Sequence, residues 1–201
     1  MIRWGWVKKG ITNPMPDMVN VLGIAGSLRQ KSYNRAVLRA AAEMLPEGMT
    51  LEIFDIGEIP LFNEDLEAQA DPAPVQQLKA RLRAANALLI ATPEYNYSMP
   101  GVLKNALDWA SRPAPASALS EKPLAIIGAS SGPWGTARAQ LALRQSAVFL
   151  NLHPMNRPVL QIPHAEAKFD ADLKLTDETT RQHLRAMLAA FAIWARRLNR
   201  A

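Results

Sequence analysis

The sequence predicts an α/β protein built on a parallel β-sheet with helices on both faces. Apolar, β-rich runs alternate with helical patterns five times along the chain, which is typical of this class. The runs at 87–91 and 123–130 are continuously apolar, as expected for strands buried on both faces. At 201 residues and 49% hydrophobic, the chain is long enough to bury a sizeable core in one domain, expected over 19–201.

Five strands are predicted from their side-chain patterns. The first, VNVLGIA, is β-rich, the second, TLEIFDI, alternates apolar and polar residues, and the last, PMNRPVLQI, is the least regular. In order, the strands are 19–25, 50–56, 87–91, 123–130 and 154–162.

Five helices are predicted between and after these strands. Pro46 and Gly48 end the first helix, Pro100 falls in the first turn of the third, and Thr176 or Asp177 caps the last. Their ranges are 34–45, 74–85, 100–111, 136–150 and 176–199.

The composition excludes several kinds of function. With no cysteine, the chain has no disulfide, iron–sulfur cluster or thiol nucleophile, so any redox chemistry needs a bound cofactor. The net charge is +5, yet residues 19–175 carry equal numbers of acidic and basic side chains, so we expect no nucleic-acid partner. No apolar stretch approaches the roughly 20 residues of a membrane span, and we expect a cytoplasmic protein with a disordered extension over 1–18.

The loop after the first strand, GSLRQKSYNR (26–35), has the donors of a phosphate site. Its glycine spacing fits neither a Rossmann fingerprint nor a P-loop. It still leads from a strand into a helix N-terminus, where backbone N–H groups and the helix dipole favour an anion. Ser27, Ser32 and Asn34 add neutral donors and Arg29 adds a charged one. The alternative is that Ser32 or Asn34 only caps the helix.

The loop after the third strand, TPEYNYSMPG (92–101), suits a flat heterocycle. Tyr95 and Tyr97 flank Asn96, and prolines bracket the turn, so backbone groups can bind a polar ring edge while aromatic rings cover a face. The alternative places the tyrosines in the core or in an interface. Glu94 has no second carboxylate set beside it, so we do not expect it to act as a general acid.

The loop after the fourth strand, SSGPWGT (130–136), is a weaker signal. Gly132 and Gly135 allow close backbone approach, and Trp134 could cover a ring. In a 2-1-3-4-5 strand order, these three loops would share one rim of the sheet, and the expected cofactor of that order is FMN. The three histidines lack the spacing of a zinc pair and are predicted to be structural or exposed: His153, His164 and His183.

Three segments resemble a known family: GSLRQKSYN, PEYNYSMPGVLKNALDW and GASSGPWGTARAQ are similar to the NAD(P)H-dependent FMN reductases, especially bacterial chromate, quinone and azo-dye reductases. The resemblance, over about 19–165, implies a flavodoxin-like three-layer α/β/α fold with a five-stranded parallel sheet in the order 2-1-3-4-5. It implies FMN as cofactor, NADPH or NADH as co-substrate, and two-electron reduction of a small-molecule acceptor by hydride transfer through N5. It also implies a homodimer or homotetramer, with Tyr97 and the 100–111 helix contributing to the interface.

The resemblance also assigns cofactor contacts by position, with no catalytic side chain and no metal. The FMN phosphate would be bound by Ser27, Arg29, Ser32 and Asn34, and the isoalloxazine by Pro93, Glu94, Tyr95, Asn96 and Tyr97. The ring or ribityl chain would also contact Ser130, Ser131 and Gly132. One departure is Gly135-Thr136, where the family commonly has two glycines. An alternative function is a flavodoxin-like electron carrier without NAD(P)H turnover, although such carriers are typically acidic.

Overall fold

The computed structural model describes residues 18–199, in which a parallel sheet lies between two layers of helices. The strands are β1 (Val19–Ala25), β2 (Met49–Phe54), β3 (Ala87–Ala91), β4 (Pro123–Ala129), β5 (His153–Pro154) and β6 (Leu160–Ile162). Their order is β2-β1-β3-β4-β5, with β6 also paired to β4, which confirms the predicted flavodoxin-like order. The extension expected over 1–18 lies outside the described residues except for Met18, which precedes β1.

Residues 18–199 form six α-helices, of which all but α2 pack on the sheet: α1 (Tyr33–Ala42), α2 (Glu64–Gln69), α3 (Ala73–Ala84), α4 (Gly101–Ala110), α5 (Ala137–Phe149) and α6 (Glu178–Leu198). Apolar residues of α1 and α6 pack on one face, and those of α3, α4 and α5 pack on the other. Successive strand residues point to opposite faces, so Val21 joins the first core and Leu22 the second. Within residues 18–199, no helix has the length and apolar character needed to cross a membrane.

The fifth strand departs from its predicted form. Instead of one strand over 154–162, two short strands pair with β4 at different heights, Pro123 with His153 and Ile127 with Leu160. Pro154 and Pro158 have no N–H to donate to a strand ladder, which explains why the pairing is interrupted.

One helix was missed and one helix start was misplaced, while one of the two predicted caps of the last helix is confirmed. α2 was not predicted, because none of its residues is buried and it therefore has no apolar stripe. The N-cap of α6 is Asp177, whose carboxylate accepts from Thr180 N–H, and not Thr176. Pro100 is the N-cap of α4 and stands just outside its first turn.

The register of the central strands brings three loops to one edge of the sheet. Ala25 at the end of β1 is level with Ala91 in β3, and Ala91 is level with Ile127 in β4. The pairing continues one residue further, since Gly26 N–H donates to Ala91 O at 2.8 Å and Thr92 N–H to Ile127 O at 3.0 Å. We call the segments that follow the first loop (26–32), the second loop (92–100) and the third loop (130–136).

Candidate cofactor site

The first loop presents two buried serine hydroxyls beside the start of α1. Ser32 is the N-cap of α1, and its Oγ accepts from Arg35 N–H at 3.4 Å. Ser27 Oγ accepts from Arg29 N–H, also at 3.4 Å. Because each oxygen accepts in these bonds, its hydroxyl proton remains able to donate to a ligand. The first turn of α1 contains no acidic residue, so the local field favours an anion.

Asn34 connects the first loop to the end of β4. Its buried amide donates to Ala129 O and accepts from Ala129 N–H, both at 2.9 Å. Asn34 therefore does not cap α1; that role belongs to Ser32. Both the NH2 group and the carbonyl oxygen of the Asn34 amide are thus hydrogen-bonded to the backbone of β4. A direct contact of Asn34 with a phosphate stays a prediction.

Two basic residues, Arg29 in the first loop and Arg35 in the first turn of α1, differ in their surroundings. Arg35 pairs with Asp55 at 2.5 Å, and Asp55 also accepts from Gly57 N–H at 2.9 Å. Burial by itself raises the pKa of Asp55, but the hydrogen bonds from Gly57 and Arg35 outweigh it and hold that pKa below its usual value. Arg29 is exposed and makes no ion pair with any residue between 18 and 199, so its charge is available to a ligand.

The second loop contains a tight backbone turn. Tyr95 and Ser98 exchange two N–H···O bonds of 3.0 Å, and the two residues between them have positive φ, 49° at Asn96 and 68° at Tyr97. These are the features of a type I′ turn, which asparagine tolerates well and tyrosine rarely adopts. Tyr95 and Tyr97 are 48% and 72% exposed, so neither is a core residue. Pro93 is buried at the base of the turn.

Glu94 links the second loop to α5. One carboxylate oxygen accepts from Arg138 Nε at 2.5 Å, and the other accepts from the backbone N–H groups of Arg138 and Ala139 at 2.9 and 3.3 Å. The carboxylate therefore caps the helix N-terminus from 44 residues away. Arg138 was not predicted as a site residue, because nothing local in the sequence couples it to Glu94.

The third loop is held by the chain that follows β6. Ser130 N–H donates to Ile162 O at 3.0 Å, and Ala165 N–H donates to Ser130 O at 3.1 Å. Gly135 has φ +51°, and a Cβ there would lie 2.8 Å from Ile162 N. These contacts leave Ser131 and Gly132 exposed at the rim.

Thr136 is the departure noted from the resemblance, and its backbone explains why glycine is common there. It adopts φ +70°, a left-handed conformation that is costly for a β-branched residue. Its side chain is buried above Gly128, where an added Cβ would collide with Thr136 Oγ1.

The three histidines lie apart. His164 is exposed beside the third loop, and its backbone N–H donates to Gly132 O at 3.4 Å. His153 is in β5 and His183 is in α6. Among residues 18–199, no three His, Asp or Glu side chains form a group that could hold a metal ion.

Fold and site together define an α/β protein in which three loops gather at the carboxyl edge of a parallel sheet, the first with free hydroxyl donors at an acid-free helix start and the other two with exposed aromatic rings. A model of the NADPH-dependent FMN reductase family matches residues 19–167, and the chain belongs to this family. It is therefore an oxidoreductase that uses FMN and takes electrons from NAD(P)H.

Individual relatives agree with this assignment. The chain is 53% identical over 185 residues to an NAD(P)H-dependent FMN reductase of Pseudomonas aeruginosa, covering 92% of this chain and 100% of that protein. It is 44% identical over 187 residues to a quinone reductase of Pseudomonas putida, covering 93% and 100%. The structure of FerB, a flavoenzyme NAD(P)H:(acceptor) oxidoreductase of Paracoccus denitrificans, superposes with a TM-score of 0.83 at 35% identity, covering 90% of this chain and 98% of FerB.

The residues of the first loop fit the phosphate of FMN. Two hydroxyls able to donate, an unpaired arginine in the described region and an acid-free helix start supply neutral and charged donors together. Asp55, which pairs with Arg35 in the first turn of α1, also accepts from Gly57 N–H, so its charge is already compensated.

Proposed function

We propose that this protein is an NAD(P)H-dependent reductase of quinones and related small-molecule acceptors, including azo compounds, chromate or free flavin. When bound, FMN would supply two-electron chemistry, with hydride transfer through N5 between NAD(P)H and the acceptor. The single observation that supports the proposal most strongly is the position of two loops. The first loop, which contains no acidic residue, starts level with the second loop, which carries the Tyr95–Ser98 turn. This arrangement offers a phosphate site and a ring site on one rim.

In this proposal the side chains bind and orient, and none acts as an acid or base. Ser27, Arg29 and Ser32 hold the phosphate, and Asn34 keeps their loop in register with β4. The backbone of Pro93–Tyr97 meets the polar edge of the isoalloxazine, and Ser130–Gly132 flank the ring or ribityl chain from the other side. Glu94 acts through α5 by fixing the distance between the second and third loops.

The proposal is tested on purified protein loaded with FMN. Anaerobic addition of NADPH or NADH should bleach the flavin within the time of mixing, and a quinone should restore its absorbance. Flavin that binds but does not bleach would instead support the electron-carrier alternative, and failure to bind FMN would reject both.

Arg29→Ala tests the phosphate assignment. It should weaken FMN binding about tenfold while leaving the far-ultraviolet circular dichroism unchanged, because the loss is one charge-assisted hydrogen bond to the ligand. Arg39→Ala is the matched control, since Arg39 is exposed on α1 and makes no ion pair in the described region. Equal FMN affinity in the two variants would remove Arg29 from the site.

We further propose a homo-oligomer formed through the outer face of α5, where Leu141, Val148 and Phe149 are 66%, 83% and 92% exposed. The resemblance places Tyr97 and the 100–111 helix at the interface, which stays a prediction; the exposed side of α4 carries a Lys104–Asp108 ion pair. Light scattering should give a multiple of the monomer mass for the natural protein and a lower mass for Phe149→Glu; an unchanged mass would exclude this face. A cytoplasmic location stays a prediction.

A further inference from the structure

Lys31 stands on the outer side of the first loop. Residues 28–31 are exposed, whereas Ser27 and Ser32 on either side of them are buried. The buried hydroxyls, which we assign to the FMN phosphate, and the exposed ammonium group of Lys31 thus lie on different sides of the loop. Lys31 makes no ion pair with any residue between 18 and 199, so its charge is available to a ligand that approaches from solvent.

The first loop and α1 carry more positive charge than one FMN phosphate uses. Between Gly26 and Ala42 the chain has four basic residues and no acidic one. Asp55 offsets only Arg35, and a phosphate monoester carries about two negative charges at neutral pH. Arg29 and the N-terminus of α1 already serve that phosphate in our assignment. Positive charge therefore remains at Lys31 for a second anion.

The segment that follows β2 has the opposite charge. Residues 57–72 include five acidic side chains and no basic one. Within the described part of the chain, ion pairs neutralise two of the five, Glu67 and Asp71, but not the other three. This segment starts beside the first loop, because Ile24 in β1 is level with Phe54 in β2. A polyanion at the rim is therefore attracted to the first loop and repelled by the acidic segment.

The spacing of the loops suits a dinucleotide. Adjacent strands lie about 5 Å apart, so the first loop, after β1, is one strand spacing from the second loop and two from the third. An extended dinucleotide is longer than both spacings together. A hydride donor that meets the flavin at the second and third loops can therefore bring its other phosphates to the outer side of the first loop.

We propose that Lys31 binds the 2′-phosphate of NADPH and makes this protein prefer NADPH to NADH as hydride donor. The 2′-phosphate is the only difference between the two nucleotides, and a lysine ammonium binds phosphate as a compact point charge. The inference deepens the proposed function and rests on it, because it assumes that the donor reaches the rim where we place the flavin.

The test compares donors that differ only in this phosphate. FMN-loaded natural protein, Lys31→Gln, Lys31→Arg and Arg39→Gln are assayed with NADPH and with NADH at a saturating quinone concentration. Arg39→Gln is the matched control, since it removes one exposed charge from α1 about two turns further along the chain. Calorimetric titration of the same proteins with adenosine 2′,5′-bisphosphate and adenosine 5′-monophosphate gives a second readout that needs no hydride transfer.

Lys31→Gln should lower kcat/KM for NADPH about tenfold and for NADH less than twofold, because one charge-assisted contact to a phosphate is lost. Lys31→Arg should keep most of the preference. The bisphosphate should bind Lys31→Gln about tenfold more weakly, with the affinity for the monophosphate unchanged. Arg39→Gln should change neither comparison by more than twofold, because salt screens an exposed charge over that distance.

Three results would overturn the inference. The first is an equal loss for NADPH and NADH in Lys31→Gln, and the second is an equal effect of Arg39→Gln, which would indicate a general field and not a contact. The third is a fall in FMN affinity that accounts for the lost activity, which would assign Lys31 to the FMN phosphate. Failure of both nucleotides to reduce the flavin of the natural protein rejects the proposed function instead, and the bisphosphate titration still tests Lys31.

Discussion

Asn34→Ala should destabilise the protein before any cofactor binds. The substitution removes two buried 2.9 Å hydrogen bonds and leaves Ala129 with an N–H and a C=O that no longer have these partners. An unsatisfied buried group costs about 1–3 kcal/mol, so the two groups together predict a loss of about 2–6 kcal/mol. For a chain of this size, that corresponds to a fall in Tm of roughly 4–24 °C.

The measurement is urea denaturation of the FMN-free protein, repeated with saturating FMN. Asn20→Ala is the control, because the Asn20 side chain accepts one exposed hydrogen bond from Thr50. This substitution should lower the free energy of unfolding by only about 0.5 kcal/mol. A loss under about 1 kcal/mol in FMN-free Asn34→Ala, together with a large fall in FMN affinity, would contradict our argument. Asn34 would then be a phosphate ligand and not a connector between the first loop and β4.

Two further predictions concern the backbone and pH. Gly135→Ala should lower the free energy of unfolding by about 1–3 kcal/mol and weaken FMN binding, because φ +51° and the 2.8 Å distance from an added Cβ to Ile162 N leave no room for a methyl group. Calorimetry measures the stability and flavin titration measures the affinity. Unchanged stability would contradict this prediction. Hydrogen bonds from Thr180 hold the pKa of Asp177 below its usual value. The ionised carboxylate therefore stabilises the folded protein fully above the unfolded-state pKa of about 3.9, and this contribution is lost as the pH falls through the lower pKa of the folded state. Asp177→Asn should keep the α6 cap at pH 7 yet lose less stability than the natural protein between pH 5 and 2; parallel acid denaturation curves would count against this.

The strands that form the centre of the sheet were predictable because burial on both faces leaves a local signal. β1 and β3 have the predicted bounds and β4 differs by one residue, since β3 and β4 are continuous buried runs and β1 is interrupted only by the exposed Asn20. The three loops were predictable for the same reason, as each begins where an apolar run ends.

Contacts between distant segments could not be predicted in this way. The hydrogen bond between Glu94 and Arg138 joins the second loop to α5 through geometry that depends on the pairing of β3 with β4. The two hydrogen bonds between the Asn34 side chain and the Ala129 backbone span 95 residues. The sequence therefore predicted a helix cap or a phosphate ligand for Asn34, but not a connection to β4. α2 is another case, because an exposed helix without a buried side chain is set by its Asn63 cap and not by an apolar pattern.

The remote cap of α5 has a consequence for the order in which the chain becomes structured. α1, α2 and α6 are capped by the residue just before each, so their first turns can close within a short local segment. The N-cap of α5 is the left-handed Thr136, whose side chain makes no capping hydrogen bond. The backbone N–H groups of Arg138 and Ala139 instead donate to the carboxylate of Glu94 in the second loop. Closing that distance has an entropic cost that is recovered only once β3 and β4 are paired. The second and third loops are therefore expected to reach their final arrangement after the sheet, late in folding, while the first loop can begin to form with α1 alone.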